Sequence, residues 1–304
     1  MEQAENGAGG FSGPGAAGGN AGRPGELPPI GIAGLGLIGG SLARAFSRAG
    51  YPVAGYDRDG QTLAAALRSG AVVSGGTEPS AVLRCPFVFV ALYPEASIAF
   101  VRENRERFAP GATVADCCGV KGRVCAALYP ETEGAAFRFV GGHPMAGTEE
   151  SGFSASRADL YDGASFLLTP RPGEDRQAVE RLSALLRAAG FARVMLTTPE
   201  KHDRLIAFTS QLPHAIACSY VLSPSCPEHD GFSAGSFRDV SRVAHLSPPL
   251  WAELFSENGE ALCAELDSLI ENLARIRALA AAGDRAALSA LLARARAAKD
   301  ASGG

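Results

Sequence analysis

Residues 30–57 read IGIAGLGLIGGSLARAFSRAGYPVAGYD, and the fold of the first half of the chain turns on them. An apolar run, Pro29 to Ala33, leads into Gly34-Leu35-Gly36-Leu37-Ile38-Gly39. An amphipathic stretch follows from Leu37 to Ala49, and then a second apolar run, Pro52 to Tyr56, which Asp57 closes. The hexamer fits G-x-G-x-x-G, a string that arises by chance when it stands alone. Between a strand and a helix it has a physical reason. The first glycine permits a tight turn, the second lets a pyrophosphate approach the backbone, and the third lets helix and strand pack closely. The helix N-terminus then offers N–H groups and positive dipole to the phosphates. Gly34, Gly36, Leu37, Ile38 and Gly39 are therefore the cofactor-binding candidates. Asp57 is expected to accept hydrogen bonds from ribose hydroxyls and to repel a 2′-phosphate, which favours NAD over NADP. Arg58 beside it weakens that discrimination, because a guanidinium can hold a phosphate.

Outward from this unit, strand-like runs alternate with helical ones. Ala71–Val73, Phe87–Leu92 and Thr113–Ala115 read as further strands, with a helix over Gln61–Ser69. The alternation predicts right-handed βαβ crossovers and a parallel sheet covered on both faces. Phe137–Val140, Ser165–Leu168 and Arg193–Leu196 extend the same sheet. After Thr198 the strands stop. Thr198-Pro199 and Ser247-Pro248 each read as a cap followed by proline at the first helical position. The helices they start run to about Leu222 and over Pro249–Ala281, and another covers Arg285–Lys299. Leu262, Leu266, Leu269, Leu273 and Ile276 line one face of the long helix, a stripe that predicts an intertwined homodimer. The expected architecture is α/β: a Rossmann-type dinucleotide-binding domain over residues 28–197, then an all-helical substrate and dimerisation domain over residues 198–300. Residues 1–27 form a glycine-rich tail, with nine glycines in the first 26 positions, and are expected to be disordered.

Bulk properties exclude several classes. A net charge of −4 speaks against a nucleic-acid partner. No apolar stretch is long enough to span a bilayer, and no secretory leader is evident. The seven cysteines show neither a CxxC pair nor a Cys/His cluster, so no metal site and no disulfide framework is expected, and the cytoplasm is the expected location. With the helical part ending near residue 300, no regulatory or mutase domain is expected to follow.

Chemistry concentrates in a second set of residues. His143 stands at a strand end within Gly142-His143-Pro144-Met145-Ala146-Gly147-Thr148-Glu149, where an α/β sheet presents side chains to a ligand. An imidazole there suits general acid–base work near neutrality. Ser210 and His214 lie four apart on one helix, with Pro213 between them. Arg238 and Arg242, flanking Asp239, offer guanidinium forks to carboxylates. Together with a bound dinucleotide they point to an anionic small molecule.

The blocks GLGLIGGSL (34–42), GHPMAGTEESG (142–152), SQLPH (210–214) and FRDVSRVAHLSPPLW (237–251) together resemble the prephenate and arogenate dehydrogenase family, over nearly all of residues 30–280. The resemblance implies NAD-dependent oxidative decarboxylation of prephenate to 4-hydroxyphenylpyruvate in tyrosine biosynthesis, with arogenate as the alternative substrate. It makes His143 the catalytic base that takes the C4 hydroxyl proton. His214 and Arg242 match positions that contact substrate carboxylates, and Thr148, Glu149 and Ser210 match polar pocket positions. Arg238 serves either the substrate or a subunit contact, and Trp251 closes a wall. Two departures stand out. Gly119 replaces a serine whose hydroxyl commonly assists the histidine, and Gln211 replaces a histidine, which removes an imidazole from the pocket rim. Feedback by tyrosine would have to act at the active site itself. The rival readings are another dehydrogenase of the same layout, such as a β-hydroxyacid dehydrogenase or pyrroline-carboxylate reductase, and an NAD-binding sensor without turnover.

Overall fold

The computed structural model describes residues 27–302. The glycine-rich tail lies almost wholly outside the described residues. From Leu27 the chain enters β1 (Ile30–Ala33), all four residues of which are buried, and continues through α1 (Leu37–Arg48), β2 (Val53–Tyr56), α2 (Gly60–Arg68) and β3 (Ser74–Gly76). A short α3 (Ser80–Leu83) precedes β4 (Phe87–Val90), α4 (Pro94–Glu103), β5 (Thr113–Asp116), α5 (Gly122–Glu131) and β6 (Arg138–Pro144). Then come β7 (Ser165–Thr169), α6 (Arg176–Ala188) and β8 (Arg193–Leu196).

These strands form one eight-stranded sheet in the order β3-β2-β1-β4-β5-β6-β7-β8. The reversal of direction beside β1 is the doubly wound signature, and it opens a crevice at the carboxyl ends of β1 and β4. One hydrophobic cluster gathers Leu42, Phe46, Phe89, Tyr161 and Phe166. A second cluster, containing Val88, Val101, Val114 and Phe139, completes the packing around the central strands. The expectation of a parallel sheet needs one correction, since β6 and β7 are antiparallel, with His143 opposite Leu167. The third strand also lies a few residues later than expected. Ala71 and Val72 are buried in the core as a turn, and pairing with β2 starts at Ser74. Apolar residues that plug a core resemble a strand in sequence.

The helical half begins as expected: Thr198 accepts a hydrogen bond from Lys201 N, and Pro199 opens α7 (Pro199–Ile206). Ala207–Gln211 then widens into a π-helical turn, directly ahead of Pro213 in α8 (Leu212–Val221). Such turns appear where a helix re-aims side chains at a site. After α9 (Gly235–Ser241), the expected single helix over 249–281 is two: α10 (Pro248–Glu257) and α11 (Gly259–Ala281). The break falls at Asn258, whose buried amide donates to Asp203 O at 2.9 Å and Gln211 Oε1 at 2.8 Å. The chain ends its described part in α12 (Arg285–Ala301). Along α11 and α12, Ile270, Leu273, Ile276 and Leu292 stay exposed. Among the described residues no helix is long and apolar enough to cross a membrane.

Asn258→Ala removes both of these donations and leaves the Gln211 and Asp203 oxygens short of a partner. The expected loss is about 1–3 kcal/mol of stability in chemical denaturation; an unchanged midpoint would show that the break does not depend on them.

Candidate active site

The glycine turn lies at the carboxyl end of β1. Gly34 adopts φ +86°, and a Cβ on it would stand 2.5 Å from the Ala91 carbonyl oxygen. At Gly39 a Cβ would fall 1.8 Å from the Gly34 oxygen, so helix and turn close on each other only with glycine at both positions. Gly36 is different, because nothing lies within 4 Å of where its Cβ would be. It precedes the first turn of α1, which carries no acidic side chain. Open space over a helix N-terminus whose own first turn bears no acidic side chain is an anion cradle. Asp57 sits beside it and braces the turn. Its Oδ2 accepts from Leu35 N at 2.8 Å and its Oδ1 from Asp59 N at 2.9 Å. Leu37 and Ile38 form the first turn of α1, and Arg58 is exposed next to Asp57.

At the end of β5 the carboxylate of Asp116 is wholly buried and pairs with the equally buried Lys121 ammonium. Two buried charges are tolerable only when each is fully partnered. Asp116 meets that demand by also accepting from Gly142 N at 2.9 Å and Cys118 N at 3.0 Å. The 116–121 loop is thereby tied to β6 one residue before His143. Burial pushes the Cys118 thiol well above the usual cysteine range, which removes it as a nucleophile.

His143 is part-buried, and its Nδ1 lies 2.9 Å from Nε2 of His202. His202 is buried on α7, with its own Nδ1 2.6 Å from Oδ1 of Asp203. Asp203 in turn accepts from Lys121 N and Gly122 N, both at 2.7 Å, at the start of α5. On its other edge, His143 Nε2 faces Gly119, where an added Cβ would lie 3.9 Å away. That Cβ would meet Leu254 of α10 at 3.4 Å. Burial, together with His202 and Lys121 nearby, holds the His143 pKa well below the ordinary imidazole value. Burial likewise lowers that of His202, against the opposing pull of Asp203.

The remaining candidates gather in a second group. Arg242 pairs with Glu149, joining the loop after β6 to the turn after α9. His214 stacks on Trp251 with ring centroids 3.7 Å apart, and its Nδ1 donates to the Ser210 carbonyl at 2.8 Å. Burial lowers the His214 pKa, with Arg242 and Glu149 close enough to act on it in opposite directions. Thr148 and Arg238 are exposed. Arg238, Asp239, Ser241 and Arg242 line an open depression of about 350 Å³. Gln211 departs from expectation. It is buried away from any rim, and its Nε2 donates to Leu254 O at 2.9 Å, so it ties the π turn to α10.

His202, Asp203 and Leu254 escaped the sequence reading. An adjacent His-Asp pair just inside a capped helix was the available signal. That His202 turns inward onto His143 of β6, and Asp203 onto the start of α5, is a tertiary fact that helical spacing does not carry. Among the described residues, no group of His, Cys, Asp and Glu side chains is arranged to hold a metal ion.

Comparison with known proteins covers both halves. A family model described as the prephenate dehydrogenase nucleotide-binding domain matches residues 42–196. One described as the prephenate dehydrogenase dimerization domain matches residues 198–294. Prephenate dehydrogenase of Bacillus subtilis is 31% identical, over 81% of this chain and 68% of the relative. Cyclohexadienyl dehydrogenase of Zymomonas mobilis is 33% identical, over 84% of this chain and 89% of the relative. The crystal structure of prephenate dehydrogenase from A. aeolicus, in complex with hydroxyphenyl propionate and NAD+, superimposes with a TM-score of 0.81. It is 28% identical, and the match covers 91% of this chain and 99% of that one.

The space at Gly119 generates a test. Its φ is not left-handed and its nearest prospective contacts are ordinary, so Gly119→Ala fits without strain. Thermal unfolding should show stability unchanged or raised by up to about 1 kcal/mol; a clear loss would mean that the position is closed.

Proposed function

The chain belongs to the prephenate dehydrogenase family, and on that premise we propose that it catalyses the NAD-dependent oxidative decarboxylation of prephenate to 4-hydroxyphenylpyruvate, a step of tyrosine biosynthesis. The observation that carries this reading is His143. It is an imidazole held at one edge by a buried partner, with its other edge toward a position that has no side chain.

The glycine turn fits the cofactor. Gly34, Gly36, Leu37, Ile38 and Gly39 would hold the pyrophosphate against the start of α1, where the space over Gly36 is open. Asp57 would meet the adenine ribose, with Arg58 at its side. Bound there, NAD supplies an acceptor for the hydride that leaves C4 of prephenate. His143 takes the proton of the C4 hydroxyl, and because its pKa is depressed it is already unprotonated at neutral pH. Loss of CO2 leaves an aromatic ring, so the driving force resides in the substrate and the protein's task is orientation plus one base. His214 and Arg242 contact the substrate carboxylates, with Ser210, Thr148 and Glu149 around them and Arg238 at the margin. Arg242 exchanges its Glu149 partner for a substrate carboxylate, a swap that keeps its charge compensated.

The domains divide at Thr198: residues 28–197 hold the cofactor and lend His143, Thr148 and Glu149 to the substrate, while residues 198–300 supply the rest of the substrate pocket and the dimer. The exposed apolar residues on α11 and α12 support a homodimer through the C-terminal helices, as does the match to a dimerization domain. The seven free cysteines fit the reducing cytoplasm.

The direct test is NADH formation by the purified protein with prephenate and, separately, arogenate. Turnover with prephenate is expected; none with prephenate, in protein shown to bind NAD, would overturn the reading. His143→Asn should lower kcat by roughly 10²- to 10⁴-fold and leave NAD affinity intact. The sign of the pH dependence follows from the depressed pKa. The base works unprotonated, so activity is lost only as pH falls below the ordinary imidazole value of about 6.5. An acid limb of kcat/KM at or above that value would contradict the assignment.

A further inference from the structure

The contacts behind His143 allow one neutral arrangement of protons, and it determines which nitrogen does chemistry. Asp203 accepts one backbone N–H on each carboxylate oxygen, at 2.7 Å, from the first amides of α5. Those amides lie at the positive end of the helix dipole, which favours the ionised carboxylate. An ionised carboxylate accepts and does not donate. At 2.6 Å from Asp203 Oδ1, the Nδ1 of His202 therefore carries the proton. A neutral His202 then has its lone pair on Nε2, and that atom lies 2.9 Å from His143 Nδ1. The contact is a hydrogen bond only if His143 donates. The reverse order would place the lone pair of His202 Nδ1 against a carboxylate. A doubly protonated His202 would place a cation on a fully buried side chain, with the buried Lys121 ammonium close by. The two rings are tilted at 57° with centroids 5.1 Å apart and are not stacked.

We propose that His202 and Asp203 are positioning residues for the base: they hold His143 with its proton on Nδ1 and its lone pair on Nε2, the edge that faces Gly119. This rests on the reading of His143 as the base, and it answers what holds the ring where Gly119 offers no hydroxyl. Among the described residues, the His143 ring has its side-chain hydrogen bond with His202 and no second one. Support therefore comes from behind the ring, on the edge away from Gly119. The logic is that of a catalytic histidine whose tautomer is set by a buried acid, with a second imidazole interposed between acid and base.

The test combines a measurement independent of turnover with a kinetic one. In protein with 15N-labelled histidine, without substrate and at neutral pH, NMR correlations of the ring nitrogens should show His143 protonated on Nδ1 and unprotonated on Nε2. His202 should also be protonated on Nδ1. Finding the His143 proton on Nε2 in the wild-type protein overturns the proposal, whatever the variants do. In His202→Leu, His143 should lose its fixed Nδ1–H form, and kcat for prephenate should fall at least roughly ten-fold with KM little changed. His202→Gln, whose amide oxygen is able to accept from Nδ1, should recover part of kcat. A folded His202→Leu protein with wild-type kcat would likewise overturn the proposal. If the wild-type protein fails to turn over prephenate, the functional reading falls, while the NMR result still decides the proton arrangement.

Discussion

The structure depends on where the Asp203 carboxylate goes. It leaves α7 of the helical half and caps the first amides of α5 in the sheet half, with both of its oxygens engaged. The first turn of α5 has no acidic side chain and no side-chain cap of its own, so the orphan N–H groups of that helix are satisfied across the boundary between the halves. The same device recurs nearby. Glu95 N, in the first turn of α4, donates to Glu253 Oε1 of α10 at 2.8 Å. Helix N-termini that point at the crevice of a doubly wound sheet thus receive anions from the second domain, and the two halves dock through charge as well as apolar contact. The backbone of Asp203 extends the connection, since its carbonyl accepts from Asn258, which in turn holds Gln211 at the π turn.

One consequence is that the contacts around His143, the proposed base, are complete only with the two halves docked. His143 comes from β6 and its neighbouring imidazole from α7, and Leu254 of α10 borders the space at Gly119 that the Nε2 edge of His143 faces. The sheet half contributes its own brace, the buried Asp116–Lys121 pair that ties the strand of His143 to the preceding loop. Buried ionic groups of this kind add little net stability, but they leave few alternative positions for the groups they hold. Orientation to that degree is what a reaction driven by aromatisation asks of its catalyst.

Much of this was legible in the sequence, for physical reasons. The glycine turn, its strand, its helix and Asp57 are local in the chain, so their spacing alone specifies their geometry. His143 was legible because a glycine- and proline-flanked imidazole at a strand end has few structural roles. What escaped is what depends on contacts distant in sequence. The break at Asn258 is invisible to periodicity, because both flanking segments keep a helical pattern and the reason for the break is a bond to Asp203. Gln211 looked like a rim residue by its place in a motif, yet its amide is buried against Leu254. The antiparallel turn from β6 to β7 was hidden by two runs equally suited to either direction. His202 and Asp203 lie within a helix whose start was read correctly, but the inward face of that helix was not.

The central claim is that Nε2 of His143 receives the proton of the C4 hydroxyl, and its most direct test is a crystal structure of the protein with NAD and 4-hydroxyphenylpyruvate. The account predicts the product's phenolic oxygen within hydrogen-bond reach of Nε2, about 2.6–3.2 Å, with Leu254 and Gly119 alongside. A phenolic oxygen bound to another residue, with His143 Nε2 left facing protein or solvent, would contradict it.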